Sequence, residues 1–471
     1  MLVALLLSAA HAAGPHPVGW VDITFDDPTF GAGRVDARVY YPADRDGEGS
    51  APDPTPGPFP LVGMLHGWLG AAWMYDDACI EVASHGYVVA SLDTETGLVL
   101  DMDRFAADGV ATLHHVEGTS VDPAGWLYGM LDGGAWAMLG HSMGGATMHE
   151  VIGRESRVET LVGFMPYEGD AGFYRNANVF PGSALYIAGS EDSTSVTPMV
   201  AAWFDASTVS ERRMLIELEG AGHQAATDFS WGEESMPDDQ QRDLVEHLAV
   251  AFLDAEVRGD EARWADLIGP GLPPVAHQSR AGAMVPALWA TVDGAGGIEW
   301  GIAGPEGATA TAFLGSGPGR TVMPQGTVGL ADVVEIGAVS LAQGIAHEAA
   351  AVPGSLTDGV WMQVLVDAGD GPVSTRILEL VAGSGGTTTS GGTDDPGTTT
   401  TDLGSGTDVD PDPSEGTDDP TGGTTGGTPA DDNTPGGGRG DEDLQASGCS
   451  HGGAPLAGGW ALLLLGLARR R

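Results

Sequence analysis

Ser142 stands inside Gly140-His141-Ser142-Met143-Gly144-Gly145. The apolar run Ala135-Trp136-Ala137-Met138-Leu139 leads into it, and a helical pattern, Ala146 to Ile152, follows. Strand, tight turn, helix is the setting in which G-x-S-x-G means a nucleophile elbow. The turn strains the backbone of its central residue, and small residues on either side let strand and helix approach. The hydroxyl is then set at a helix N-terminus, where partial positive charge favours an oxyanion. A serine used in this way needs a base, a group that orients the base, and donors for the oxyanion. Downstream, the strand pattern Ala184-Leu185-Tyr186-Ile187-Ala188 runs into Gly189-Ser190-Glu191-Asp192-Ser193. An acid just past a strand end suits the orienter; Glu191 and Asp192 compete for the role, and Asp192 is favoured. The next strand pattern, Met214 to Leu218, runs into Glu219-Gly220-Ala221-Gly222-His223. Of the 13 histidines in the chain, His223 alone fits order, spacing and context for the base.

The oxyanion donors are expected from the backbone N–H of Met143, next after the nucleophile, and from the loop Leu65-His66-Gly67-Trp68-Leu69-Gly70. Trp68 is the first choice there and Leu69 the second. Each such donor lowers the barrier by about 3 kcal/mol. His114 and His115 read as a helix surface, not as a metal site; no metal-ligand set and no cofactor is expected.

The elements that must hold these residues follow from apolar periodicity. Residues 14–47 alternate apolar and polar side chains and read as an antiparallel hairpin. Strands are expected at 61–65, 87–92, 135–140, 159–165, 184–189 and 213–218, with helices between them, hence a mostly parallel sheet flanked by helices. Residues 241–257 carry one apolar stripe (Leu244, Val245, Leu248, Ala249, Phe252, Leu253) and read as a closing amphipathic helix. Together with the order Ser, acid, His, this is the α/β-hydrolase fold class, and it is assigned to residues 14–270. Only two βα units fit between Ser142 and Asp192. No room remains for a cap, and an open site suits bulky, apolar or polymeric acyl substrates.

Residues 271–383 are rich in Gly and Pro with short β-type runs (336–339, 360–366, 375–381), and read as a small β-sandwich-like module without a catalytic constellation. Residues 384–447 hold 14 acids, one Arg and almost nothing apolar, so a disordered, extended linker is expected. Residues 1–13 read as a signal peptide without its basic start. In 448–471, Cys449, an apolar stretch and Arg469-Arg470-Arg471 read as a membrane or surface-sorting segment. The expected location is therefore exported, at the cell surface or outside it. The 471 residues include 66 acidic and 19 basic ones, all of the latter Arg, for a formal charge of −47. Nucleic acid would be repelled and is excluded as a partner.

Several of these runs carry a resemblance. Ala83-Ser84-His85-Gly86-Tyr87-Val88-Val89 followed by Leu92-Asp93-Thr94, the elbow hexapeptide, the acid at Asp192 and the Gly-x-Gly-His ending at His223 resemble bacterial cutinases and polyester (PET) hydrolases. The wider group includes dienelactone hydrolases, chlorophyllases and platelet-activating-factor acetylhydrolases. The likeness covers about residues 17–257. It implies a serine esterase in which Trp68 supplies an oxyanion N–H and one aromatic wall of the cleft; the catalytic domain is expected to be monomeric. Tyr167, in Met165-Pro166-Tyr167, would form the opposite wall. The chain departs from the pattern at His66 and Leu69, where polyester hydrolases usually have Pro and Thr or Ala. It also has only Cys79 in this span, where the family often has a disulfide. The C-terminal segment resembles the sorting tags of Gram-negative surface proteins of the myxobacterial type. Two other readings stay open: a lipase or acetylhydrolase acting on lipid or small soluble esters, and a non-catalytic surface-binding protein on a hydrolase fold.

Overall fold

The computed structural model describes residues 14–380, except for residues 28, 32, 169–170, 230–233, 284, 294, 355, 357–358 and 370. The expected signal peptide, the linker and the C-terminal segment lie outside the described residues. Among those described, no helix is long and apolar enough to cross a membrane.

The alternating start of the chain forms a hairpin, β1 (Val18–Asp27) and β2 (Gly33–Pro42), paired from Val18 opposite Pro42 to Asp27 opposite Gly33. A two-residue strand, β3 (Gly47–Glu48), runs beside β1. Then come β4 (Leu61–Leu65), α1 (Asp76–Ser84), β5 (Val88–Leu92), α2 (Met102–Val121), β6 (Trp136–His141) and α3 (Met143–Ile152). They are followed by β7 (Val158–Phe164), α4 (Ala171–Val179), β8 (Ser183–Gly189), α5 (Thr197–Ala206), β9 (Arg212–Leu218), α6 (Asp238–Val257) and α7 (Trp264–Ile268). The strands β4 and β5 are buried along their whole length, as central strands covered on both faces must be. The sheet order is β10-β9-β8-β7-β6-β4-β5-β2-β1-β3, with β10 at Ala276–Ala283. The run β5-β4-β6-β7-β8-β9 is parallel; β1, β2 and β10 add antiparallel margins.

Helices cover both faces. On one, Phe105 of α2, Met148 of α3, and Trp203 and Phe204 of α5 pack on Leu61, Met138 and Leu161. On the other, Cys79 and Val82 of α1 and Val245, Leu248, Phe252 and Leu253 of α6 pack on Val62, Leu139 and Ile187. Cys79 is a buried free thiol.

The boundary expected at Pro270 is corrected by β10. This strand lies beyond that boundary, yet it pairs with β9 and completes the large sheet, with Ala281 in its core. The remaining strands are β11 (Ala287–Val292), β12 (Gly297–Ala303), β13 (Thr309–Gly315), β14 (Gly317–Met323), β15 (Gly326–Ala331), β16 (Val334–Ser340), β17 (Ile345–Ala351), β18 (Val360–Asp367), β19 (Pro372–Ser374) and β20 (Leu378–Leu380). One sheet is β11-β12-β17, another is β16-β13-β18-β19 with β20 on β18, and β14-β15 is a separate hairpin. The two larger sheets share an apolar cluster that includes Leu288, Trp300 and Ile302 from one and Leu314, Met362 and Val364 from the other. The module is not separate from what precedes it. Ala287, Trp289 and Ala303 belong to the same apolar cluster as Trp264, Leu267 and Ile268 of α7. His347 of β17 donates to the Ile268 carbonyl, an end-of-helix acceptor that would otherwise lack a partner. Arg376 pairs with buried Glu261 at 3.1 Å.

Candidate active site

Five adjacent parallel strands, β4, β6, β7, β8 and β9, end at one edge of the sheet, and the loops after them carry the candidate residues. Ser142 directly follows β6 with φ 52° and ψ −117°, a region that costs a non-glycine residue about 1–3 kcal/mol. The surrounding packing imposes it. A Cβ on Gly144 would lie 2.2 Å from the Leu65 carbonyl oxygen, and one on Gly140 would lie 2.6 Å from that of Gly144, so both positions require glycine. The Ser142 N–H donates to Phe164 O, and the Ser142 carbonyl accepts from the N–H groups of Ala146 and Tyr167.

The Ser142 hydroxyl donates to Nε2 of His223 at 2.9 Å, and Nδ1 of His223 donates to Asp192 Oδ2 at 2.8 Å. These directions follow from the carboxylate, which only accepts. The other oxygen of Asp192 accepts the N–H groups of Thr194 and Ser195 at 2.7 and 2.8 Å, and the side chain is fully buried. Three donors thus hold the carboxylate in one orientation. Glu191 does not compete: its carboxylate is turned away and accepts the N–H and hydroxyl of Ser235. The acid and base loops are tied together by backbone bonds from Ser190 N to Leu218 O and from Glu191 N to Ala221 O.

Trp68 and Tyr167 stand where the chain passes Ser142. Met143 opens α3, and its N–H and that of Trp68 donate to no acceptor among the described residues. The Trp68 side chain is 54% exposed, and its indole N–H donates to Leu98 O at 3.0 Å. Tyr167 is 39% exposed; its backbone is held by Ser142 on one side and by the Trp203 indole N–H on the other. The loop after β5 exposes Leu98 and Val99, and Trp73 stacks on Phe229 with ring centroids 6.3 Å apart. Trp68, Trp73, Leu98, Val99 and Tyr167 are thus all exposed apolar side chains on the loops after β4, β5 and β7.

Sequence reasoning did not single out Trp73, in a 3₁₀ turn at Ala72–Tyr75, or Phe229, Leu98 and Val99, which lie in loops without periodicity. It also missed His66, Tyr75 and His141. His66 is buried, with Nδ1 2.8 Å from Gly67 O and Nε2 2.8 Å from Thr94 O; the neutral ring donates to one of these two carbonyls, and a proton on Nε2 ties the loop after β4 to the loop after β5. Burial lowers its pKa. His141 sat inside the elbow hexapeptide, and its type was the available signal. His114 bonds Glu155 and stacks on Phe30, while His115 stacks on Phe25. Among the described residues, no group of three or more His, Cys, Asp and Glu side chains is arranged to hold a metal ion.

A serine hydroxyl bonded to an imidazole whose other nitrogen is held by a buried carboxylate can add to a carbonyl carbon and pass its proton to the ring. Comparison with known families narrows this chemistry. Residues 5–236 match the PETase family, described as PET hydrolase-like. The match spans just under half of the chain, includes Ser142, Asp192 and His223, and stops before α6. It implies an ester hydrolase in general terms. Among curated proteins, none matches the chain.

Proposed function

We propose that the protein is a serine ester hydrolase that works through an acyl-enzyme on bulky, apolar or polymeric esters at an open cleft. The observation that carries this reading is the hydrogen-bond chain from Ser142 through His223 to Asp192 on a strained elbow. Ser142 Oγ attacks the ester carbonyl carbon while His223 Nε2 takes its proton. The N–H groups of Met143 and Trp68 receive the oxyanion. The protonated ring, held by Asp192, gives the proton to the departing alcohol. Water then attacks the acyl-enzyme with His223 again as base, and the acid leaves. The substrate class rests on the absence of a cap between β6 and β9, where only α3, β7, α4, β8 and α5 lie among the described residues, and on the exposed apolar side chains after β4, β5 and β7. Trp68 and Tyr167 are assigned as its opposite walls. Export and surface attachment through residues 1–13 and 448–471 complete the proposal.

Ser142→Ala is the direct test. The hydroxyl contributes little packing, so the variant keeps its melting temperature while kcat on p-nitrophenyl esters falls by roughly 10⁴-fold or more. A fluorophosphonate labels the wild type at Ser142 and leaves the variant unlabelled. A folded variant with wild-type turnover would refute the assignment. In the wild type, kcat/KM that rises with acyl length and persists on polyester particles supports the open-cleft substrate class. Activity confined to acetyl esters favours an acetylhydrolase.

A further inference from the structure

The mechanism leaves one buried polar chain without a use. Tyr75, at the N-terminal end of α1, is buried. Its hydroxyl accepts the Gly67 N–H at 2.9 Å and stands 2.8 Å from Nδ1 of His141. Nε2 of His141 stands 2.7 Å from the main-chain carbonyl of His223. Each contact fixes the direction of the next. A carbonyl oxygen only accepts, so Nε2 carries a proton. Burial first, and then the neighbouring His223, push the His141 pKa down to about 3, so the ring holds that one proton and Nδ1 is an acceptor. Tyr75 therefore donates to His141 and accepts from Gly67. Every group in the chain is satisfied, and only one tautomer satisfies them all.

The two ends of this chain are the two loops that the reaction needs at a fixed separation. Gly67 leads into the Trp68 N–H, and it sits so close to the elbow that a Cβ on it would lie 2.9 Å from His141 Nδ1 and 3.2 Å from Ser142 Cβ. His223 is the base. We propose that Tyr75 and His141 are positioning residues, which hold the oxyanion loop and the base loop at one distance across the elbow. The inference rests on the serine-hydrolase reading above. It gives the residue beside the nucleophile a task of its own: a hydrogen-bonded strut that touches neither substrate nor proton in flight.

The test uses the full chain with p-nitrophenyl butyrate. Tyr75→Phe leaves the Gly67 N–H and His141 Nδ1 without partners, and His141→Leu removes the strut. In each, kcat falls roughly 10- to 100-fold, the scale for an ångström of misplacement, while KM stays nearly constant. The double variant is no slower than His141→Leu alone, because the two residues act as one unit. His141→Gln, whose amide N–H can reach the His223 carbonyl, recovers part of kcat. A folded Tyr75→Phe or His141→Leu with wild-type kcat would overturn the proposal and leave the network as packing alone. If the variants do not fold, ¹⁵N NMR of the wild type still decides. The proton must sit on Nε2 of His141 and must not titrate near neutrality; a proton on Nδ1 defeats the strut. Turnover that survives Ser142→Ala defeats the underlying reading instead, a result separable from either.

Discussion

The large sheet and the module after it place their strained backbone differently. Among the described residues up to β9, the non-glycine residues with positive φ are Leu69, Glu95, Ser142 and Met165. They follow β4, β5, β6 and β7, four strands side by side in the sheet, and all lie at the same edge. In the module such residues are Asp332 and Gln343, which lie in the short links from β15 to β16 and from β16 to β17. Each of these short links carries the chain from one sheet to another, and so tight a turn takes positive φ for its own geometry. A parallel strand leading towards a helix does not. Strain repeated along one edge of a parallel sheet marks the place where the loops serve chemistry, at about 1–3 kcal/mol for each residue. The module has no counterpart, and what it offers the sheet is burial.

Removing that burial gives the largest expected effect. A fragment ending at Pro270 lacks β10, leaves the β9 edge open, and uncovers Trp264, Leu267 and Ile268, which pack with Trp289. Buried side chains of this kind each contribute about 1.5–3 kcal/mol, and whole domains are stable by only about 5–15 kcal/mol. The fragment should aggregate or lose its cooperative melting transition, while one ending at Leu380 should keep both the transition and the activity. If the 14–270 fragment melts like the full chain, β10 and the module do not support the large sheet.

The next effect sharpens the comparison inside the site edge. Asp192→Asn keeps the shape but no longer fixes the tautomer and charge of His223, so kcat should drop by roughly 10⁴-fold. Glu191→Gln, one residue away, loses an exposed bond to Ser235 and should leave kcat nearly unchanged. A steady-state comparison of the two on one ester decides it; equal losses would mean that the whole loop, not one carboxylate, supports the base.

The reading of the sequence reached the parallel core of the large sheet more fully than the strands after it. The strands β4 to β9 were legible because central parallel strands must be apolar on both faces, and nearly every run expected there is observed within one or two residues of its place. The order of serine, acid and histidine followed from those strand ends. The sequence favoured Asp192 over Glu191 but left both open, since both acids follow the same strand; in the structure Asp192 bonds His223 and Glu191 bonds Ser235. The fate of residues 276–283 was not legible. His277, Gln278, Ser279 and Arg280 interrupt any apolar alternation, and the strand is held by its pairing with β9 across a bulge. Tyr75 and His141 lie 66 residues apart, and no local pattern announces a buried hydrogen bond.

Buried charge, unlike the backbone strain of the large sheet, is not confined to the site edge, and the smallest predicted effect tests this. Glu246 lies in the middle of α6 and is 8% exposed, and its Oε1 has no partner among the described residues. Burial first, and then the like charges of Glu81, Asp77 and Asp243, push its pKa up to about 9, with only Arg242 opposing. Unfolded, the group returns to an ordinary glutamate value of about 4.3. The folded state therefore binds a proton that the unfolded state releases throughout the interval between these two values. Its contribution to stability is complete at the acidic end of that interval and is lost as pH rises through the folded value. The wild-type melting temperature should fall between about pH 6 and pH 9, and Glu246→Gln should flatten that slope. At pH 9 the variant should be the more stable by about 1–2 kcal/mol, the cost of a buried unpaired polar group. Its kcat should match the wild type at both pH values, because α6 lies behind the sheet and not at its reactive edge. An unchanged slope would mean that the Glu246 carboxylate is already ionised in the fold. A changed kcat would mean that buried charge on α6 reaches the site after all, and the separation between strained edge and buried support would have to be given up.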